Sequence, residues 1–168
     1  MARTDDADFE AFVVQRVDAL LRLAVLLTGD RNSAEDLVQI ALLEVHRRWS
    51  RILADDPYPY ARRVLATRAA SWYRRRSTQE IVDLPAHDRA GPDDTDAVAE
   101  RHRIAAALDE LPPRMRAVLV LRYAEDLSEA DTAAALGLSV HTVNSQTRRG
   151  LARLRLLLDD PATVLEEC

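Results

Sequence analysis

The polar side chains of residues 139–158 have the types and spacing that nucleic-acid recognition requires. This segment holds four arginines and no acidic residue. Arginine can bind guanine and asparagine can bind adenine through two hydrogen bonds each, while serine and threonine bind phosphate. A helical hairpin with a solvated arginine face is the structural alternative, which the absence of acids disfavours. The predicted duplex-contacting side chains are His141, Thr142, Asn144, Ser145, Arg148, Arg149 and Arg153.

A helix-turn-helix over residues 128–158 would position these side chains. Ser128, with Asp131 three residues later, is predicted to start one helix, and Ser139 to cap the next. The motif needs a small residue at the helix crossing, a glycine in the turn and an apolar anchor in the second helix. Ala133, Gly137 and Val143 have that spacing. The pattern predicts a recognition helix in a major groove, with a buried stripe of Val140, Val143, Thr147, Leu151, Leu154 and Leu158.

A second cluster, over residues 58–76, interleaves aromatic rings with arginines. Unpaired bases stack on rings while guanidinium groups hold the backbone, so this composition suits single-stranded DNA. For Trp72, packing in the core is an equally good interpretation. The cluster consists of Tyr58, Tyr60, Trp72 and Tyr73 with Arg62, Arg63, Arg68, Arg74, Arg75 and Arg76.

The net charge of -5 conceals two basic islands. Residues 47–76 hold nine arginines and two acids, whereas residues 1–46 and 77–110 each hold nine acids and only four and three arginines. The Debye length near physiological ionic strength is about 8 Å, so a phosphate backbone responds to the nearby island. Net acidity therefore does not exclude DNA.

Composition disfavours enzymes and metalloproteins. Cys168 is the single cysteine, the four glycines form no phosphate-binding loop, and the four histidines lie in no catalytic motif. No apolar run approaches the roughly 20 residues that cross a bilayer, and residues 1–10 are acidic where a signal peptide would be basic. We therefore expect a cytoplasmic protein without membrane insertion, metal or cofactor.

Apolar spacing predicts helices throughout and no strand. One helix should span residues 8–28, with Phe9, Val13, Val17, Leu20, Ala24 and Leu27 on its apolar stripe. Ser33 is predicted to cap a second helix that carries Glu35 and Asp36 in its first turn and ends near Trp49. After an entry loop over 50–58, Pro59 should begin a third helix that ends at Arg76.

Three segments in sequence order, 33–49, 59–76 and 110–158, resemble regions 2 and 4 of bacterial sigma factors of the extracytoplasmic-function (ECF) type, in particular the SigE-like actinobacterial branch. The resemblance implies an all-α fold with a region 2 domain over 1–76, a flexible acidic linker over 77–98 and a region 4 domain over 99–168. It also implies an alternative sigma factor, not an enzyme, that binds core RNA polymerase through the β′ clamp helices and β flap. Such a protein directs transcription from specific promoters and can have an anti-sigma factor as a further partner.

The same resemblance assigns roles to residues. The helix from Ser33 would dock on the clamp helices through Glu35, Asp36, Leu37, Gln39, Leu42 and Leu43. The minus-thirty-five element would be read as duplex by the recognition helix near 140–150. The acidic linker would mimic nucleic acid in the polymerase cleft or serve as a solvated tether. Unstacked minus-ten bases would be bound by Tyr58, Tyr60, Arg63, Thr67, Arg68, Ser71, Trp72 and Arg75.

Four residues depart from the family pattern, and one alternative function stays open. Ile40 replaces an acidic residue, Thr67 an asparagine, Asn144 a basic residue, and Thr132 an aliphatic one. The alternative is a stand-alone transcriptional regulator that dimerises through its N-terminal helices, needs a symmetric operator and does not bind polymerase.

Overall fold

A computed structural model of the chain describes residues 2–52, 56–76 and 96–159, and this part consists of helices joined by short turns. No β-strand occurs in these ranges, and the predicted all-α fold class is confirmed. The helices are α1 (Ala2–Thr28), α2 (Arg31–Arg47), α3 (Trp49–Ile52), α4 (Pro57–Arg76), α5 (Asp96–Asp109), α6 (Pro113–Tyr123), α7 (Glu129–Leu136) and α8 (Val140–Asp159).

The chain divides into two compact units, Met1–Ile81 and Val82–Cys168. The first contains α1 to α4 and the second contains α5 to α8. Most of the predicted linker, residues 77–95, lies outside the described residues, and α5 begins at Asp96 within the range predicted as linker.

In the first unit, α1, α2 and α4 pack against one another around an apolar core. The predicted stripe of α1 is buried in its C-terminal half, at Leu20, Ala24 and Leu27. Nearer the N-terminus, Phe12 takes the buried position and Phe9 is half-buried. The rings of both phenylalanines pack on Trp49, with centroid distances of 5.2 Å from Phe9 and 5.4 Å from Phe12.

The second helix begins earlier than predicted, and the proposed Ser33 cap is wrong. Asp30 is the N-cap, and its Oδ1 accepts a hydrogen bond from the backbone N–H of Ser33 at 2.8 Å. A carboxylate at this position accepts a hydrogen bond from an otherwise unpaired N–H, and its negative charge is stabilised by the positive end of the helix dipole. Glu35 and Asp36 consequently lie after the first turn. The Glu35 carboxylate pairs with Arg31, the first residue of the helix, at 2.8 Å.

The predicted entry loop over 50–58 is also wrong in part. Helix α2 ends at Arg47, the short helix α3 follows from Trp49, and α4 begins at Pro57, two residues before Pro59. Proline suits the first position of a helix because it has no N–H to leave unpaired. Pro57 holds that position, while the Asp56 carboxylate accepts a hydrogen bond from the Tyr58 N–H at 3.1 Å.

Helix α6 is the core of the second unit. It buries every residue from Arg116 to Leu121 and packs against α7 and α8. Arg116 is 2% exposed, and its guanidinium lies 3.1 Å from the Asp109 carboxylate and donates to the Asp109 carbonyl at 2.6 Å. This pair ties the end of α5 to the first turn of α6 across the three residues that separate the helices, Glu110, Leu111 and Pro112.

Candidate nucleic-acid interface

The turn of the helix-turn-helix has the predicted geometry. Ser128 caps α7 by accepting a hydrogen bond from the Asp131 N–H at 3.0 Å. Gly137 ends α7 with a φ of 64°, in the left-handed region that glycine adopts without strain. Ser139 then caps α8 by accepting from the Thr142 N–H at 3.1 Å. Ser128, Gly137 and Ser139 therefore begin and end the helices as the sequence predicted.

The crossing of α7 and α8 is held by the small and apolar residues expected there. Ala133 and Val143 are buried together with Val118 of α6. Thr147 is buried as predicted, and its hydroxyl donates to the Val143 carbonyl at 2.8 Å. One stripe assignment is wrong: Val140 is 47% exposed, because as the first residue of α8 it precedes the crossing.

Gly150 was missed as a packing position. A Cβ atom there would lie 2.8 Å from Cδ1 of Leu119 and 3.0 Å from Cγ of Met115. The absence of a side chain thus lets α8 approach α6 closely. Nothing local in the sequence indicates this, because Leu119 and Met115 lie 31 and 35 residues earlier in the chain. Beyond it, Leu151, Leu154 and Leu158 are half-buried.

We define the outer face of α8 as His141, Asn144, Ser145, Arg148 and Arg149. All are exposed except Ser145, which is half-buried. Arg149 donates from Nη2 to the Ser145 hydroxyl at 2.5 Å, and Asn144 Nδ2 lies 3.4 Å from the Glu129 carboxylate of α7. Arg153 is exposed farther along, whereas the Thr142 hydroxyl contacts Ser139 at 2.8 Å within the cap. Two donors of the outer face, Asn144 and Arg149, are therefore held by neighbouring polar side chains.

The tyrosines at the start of α4 lie beside guanidinium groups. Arg16 of α1 is 5.3 Å from the centroid of the Tyr58 ring, and Arg62 is 5.8 Å from it. Arg48, between α2 and α3, is 5.5 Å from the Tyr60 ring. Cation–π contacts of this kind fix the rings and concentrate positive charge. Sequence reasoning missed Arg16 and Arg48 because only the packing of α1 and α2 on α4 brings them there.

The remaining predicted minus-ten residues follow α4. Arg63 is exposed, and the Thr67 hydroxyl donates to its carbonyl at 2.8 Å. The Ser71 hydroxyl donates to the Thr67 carbonyl at 2.8 Å, and Arg68 donates to Glu44 of α2. Both hydroxyls thus use their hydrogen within the helix and keep only acceptor capacity. The side chains of Trp72 and Arg75 lie outside the described residues.

The predicted polymerase-binding residues on α2 are not all at the surface. Glu35, Asp36, Gln39 and Leu43 are exposed, and Leu42 is half-buried. Leu37 is fully buried in the core, so its assignment to a surface contact is wrong. Its apolar side chain falls on the inward face, four residues before Ala41 and eight before Val45, which are also buried. Ile40 and Leu43, one turn apart, are 37% and 58% exposed.

Two further properties concern only the described part of the chain. It contains no group of three or more histidine, cysteine, aspartate or glutamate residues arranged to hold a metal ion. None of the helices described there has the length and apolar character needed to span a membrane.

Comparisons with known proteins match both units. Residues 12–79 match the family model for Sigma-70 region 2, and residues 101–154 match that for Sigma-70, region 4. The RNA polymerase sigma-E factor of Streptomyces avermitilis is 41% identical over 159 residues, covering 92% of this chain and 87% of that protein. The ECF RNA polymerase sigma factor SigE of Mycolicibacterium smegmatis is 32% identical, covering 88% of this chain and 60% of that protein.

Solved structures show the same fold. The sigma factor RpoE of Bartonella quintana, crystallised with the anti-sigma factor NepR, matches with a TM-score of 0.70 and 25% identity, covering 90% of this chain and 96% of that one. CnrH, in complex with the cytosolic domain of CnrY, matches with a TM-score of 0.62 and 24% identity, covering 92% of this chain and 89% of that one.

Proposed function

Because the chain belongs to the ECF sigma factors of RNA polymerase, we propose that its two units divide promoter recognition between duplex and single-stranded DNA. The protein is an alternative sigma factor that binds core RNA polymerase and directs transcription from specific promoters. The family consists of initiation factors, and the chemistry of RNA synthesis belongs to the polymerase. We further propose that it acts in the cytoplasm, where the polymerase is.

Helix α8 reads the minus-thirty-five element as duplex in this proposal. The observation that carries it is the outer face of α8, where most of the donor side chains are exposed and residues 140–158 include no acid. The Ser139 cap and the left-handed Gly137 fix the direction in which α8 leaves the turn. A recognition helix placed in this way brings its N-terminal side chains to base edges and its later arginines to phosphates.

Helix α4 binds the unpaired minus-ten bases. Support comes from the rings of Tyr58 and Tyr60, which stand among the guanidinium groups of Arg16, Arg48 and Arg62. Unstacked bases can stack on aromatic rings, and nearby cations can bind the phosphate backbone. Arg16 and Arg48 therefore join the residues proposed for this site.

Helix α2 supplies the contact with the β′ clamp helices. Its exposed apolar pair, Ile40 and Leu43, is flanked by Glu35, Asp36 and Gln39 on the solvent side. Exposed apolar side chains rimmed by polar ones are typical of docking surfaces. Leu37 and the other buried residues of α2 support this surface from the core.

An anti-sigma factor is proposed as a further partner, since the sigma factor RpoE of Bartonella quintana was crystallised with one. The alternative of a stand-alone dimeric regulator gains no support, because the matched relatives are sigma factors.

Run-off transcription tests the proposed function. Core polymerase with this chain should start discrete transcripts on a subset of genomic fragments, and core polymerase alone should start none of them. A chain that binds DNA fragments but yields no specific transcript on any of them would instead favour the regulator.

A further inference from the structure

Glu129, the first residue of α7, lies beside the outer face of α8. Its carboxylate oxygens are 3.4 and 3.5 Å from Nδ2 of Asn144, fifteen residues later in the chain. Glu129 is half-buried and Asn144 is exposed. The contact therefore joins the two helices of the helix-turn-helix at the edge of the surface proposed to meet DNA.

The chemistry of the two groups makes this contact directional. An asparagine amide carries two N–H donors on one side and a carbonyl acceptor on the other, and a half-turn about its terminal torsion exchanges them. A carboxylate only accepts, so it attracts Nδ2 and repels Oδ1. Glu129 thus selects one of the two amide orientations, in which Oδ1 and one N–H remain available to a ligand.

A negative charge at this position also restricts what Asn144 can contact. A phosphate would be repelled by the Glu129 carboxylate, whereas a neutral base edge would not. Arg149 lies one turn after Asn144 and is held by a hydrogen bond to Ser145. It is better placed than Asn144 to bind phosphate, because no carboxylate contacts it in the described part of the chain.

We propose that Glu129 is a positioning residue for base recognition: by orienting the Asn144 amide it sets the base preference at one position of the duplex element. This inference rests on the proposed function of α8. An asparagine that offers one N–H and one carbonyl recognises adenine through N7 and N6. Adenine is therefore the base we expect at that position.

The test uses holoenzyme assembled from core polymerase and the full chain. A promoter on which the wild type initiates is randomised over its upstream element, and the bound fraction is sequenced. The variants are E129Q, E129D, N144A and the double variant E129Q/N144A. The matched control is E110Q, which removes the same charge from an exposed turn residue outside α7 and α8.

Asn144→Ala should lower the preference for adenine at one position by about tenfold, the scale of one mismatched base pair. Glu129→Gln should lower it by about threefold at the same position and nowhere else, because a glutamine can face either side of the amide. Glu129→Asp should retain most of the preference, since the carboxylate remains. The double variant should match Asn144→Ala alone, because both substitutions remove one interaction.

The inference is overturned if Glu129→Gln shifts the affinity for all sequences equally, as Glu110→Gln would, or if the two single effects add. A selective wild type whose preference survives Glu129→Gln unchanged overturns this inference alone. A wild type that selects no upstream sequence overturns duplex reading by α8, and this inference falls with it. Circular dichroism of each variant checks that helix content equals that of the wild type.

Discussion

Arg68 of α4 donates a hydrogen bond from Nη2 to Oε1 of Glu44 in α2. The pair joins the helix proposed to hold minus-ten DNA to the helix proposed to bind polymerase. Half of the Arg68 side chain is exposed, so solvent screens the attraction, and its contribution to stability is below about 1 kcal/mol. The pair has a larger effect on DNA binding, because an arginine that is paired with a carboxylate is less available to neutralise a phosphate.

Glu44→Gln should therefore strengthen the binding of single-stranded minus-ten DNA. With the neutral glutamine, Arg68 can neutralise one additional phosphate, which steepens the plot of log affinity against log salt by about 0.7. The measurement is fluorescence anisotropy of labelled single-stranded DNA over a salt series. Glu35→Gln is the matched control, since Glu35 pairs with Arg31 on α2 itself and should leave the slope unchanged. Equal slopes for wild type and Glu44→Gln would show that the pair does not withhold Arg68.

Substitutions on α8 and α4 should impair different steps of initiation. Arg148→Ala and Arg149→Ala each remove a cation from the outer face of α8 and should weaken holoenzyme binding to promoter duplex by about tenfold. Arg63→Ala and Arg75→Ala should leave duplex binding within about twofold and slow promoter opening. Footprinting of closed complexes and permanganate reactivity of unpaired thymines measure the two steps. Equal loss of duplex binding in all four variants would contradict the division of labour.

Local signals in the sequence located the helix-turn-helix, and long-range packing accounts for what they missed. Ser139 and Gly137 act within their own turns, so their roles could be predicted from neighbouring residues. Ser33 is a good capping residue by type, but Asp30, just after Gly29, caps the helix by accepting a hydrogen bond from the Ser33 N–H. Arg16 reaches Tyr58 only through the packing of α1 on α4, and no pattern in a single sequence records that contact.

The α2 surface illustrates the same limit. The helical period predicts which residues of α2 share a face, but it does not predict which face packs against other helices. Leu37 and Leu43 are both leucines on one amphipathic helix, yet the first is buried and the second is 58% exposed. Only the positions of α1 and α4 decide between them. The spacing of apolar residues therefore predicted the helix, and the tertiary contacts were needed to find its exposed apolar surface.

Thr132→Val should stabilise the second unit by about 1 kcal/mol. The Thr132 side chain is fully buried in α7, and its hydroxyl oxygen has no hydrogen-bond partner within the described residues. Valine has nearly the same shape and removes the cost of burying an unpaired hydroxyl. Thermal unfolding by circular dichroism should show a higher midpoint. Thr147→Val is the matched control: that hydroxyl bonds to the Val143 carbonyl, so its loss should bring no gain. A lower midpoint for Thr132→Val would mean that the hydroxyl is satisfied in solution.

Gly137→Ala should destabilise the second unit by about 1 kcal/mol and weaken duplex binding through the turn. Gly137 has a φ of 64°, and an added Cβ would meet nothing within 4 Å. The expected loss of stability therefore comes from the left-handed backbone and not from a steric clash. A second substitution can separate these two causes. Asparagine is larger than alanine but tolerates this conformation better, so Gly137→Asn should lose less stability than Gly137→Ala. Urea unfolding of both variants measures the difference. If asparagine proved more damaging than alanine, space around the turn and not its backbone angle would be the requirement that selects glycine.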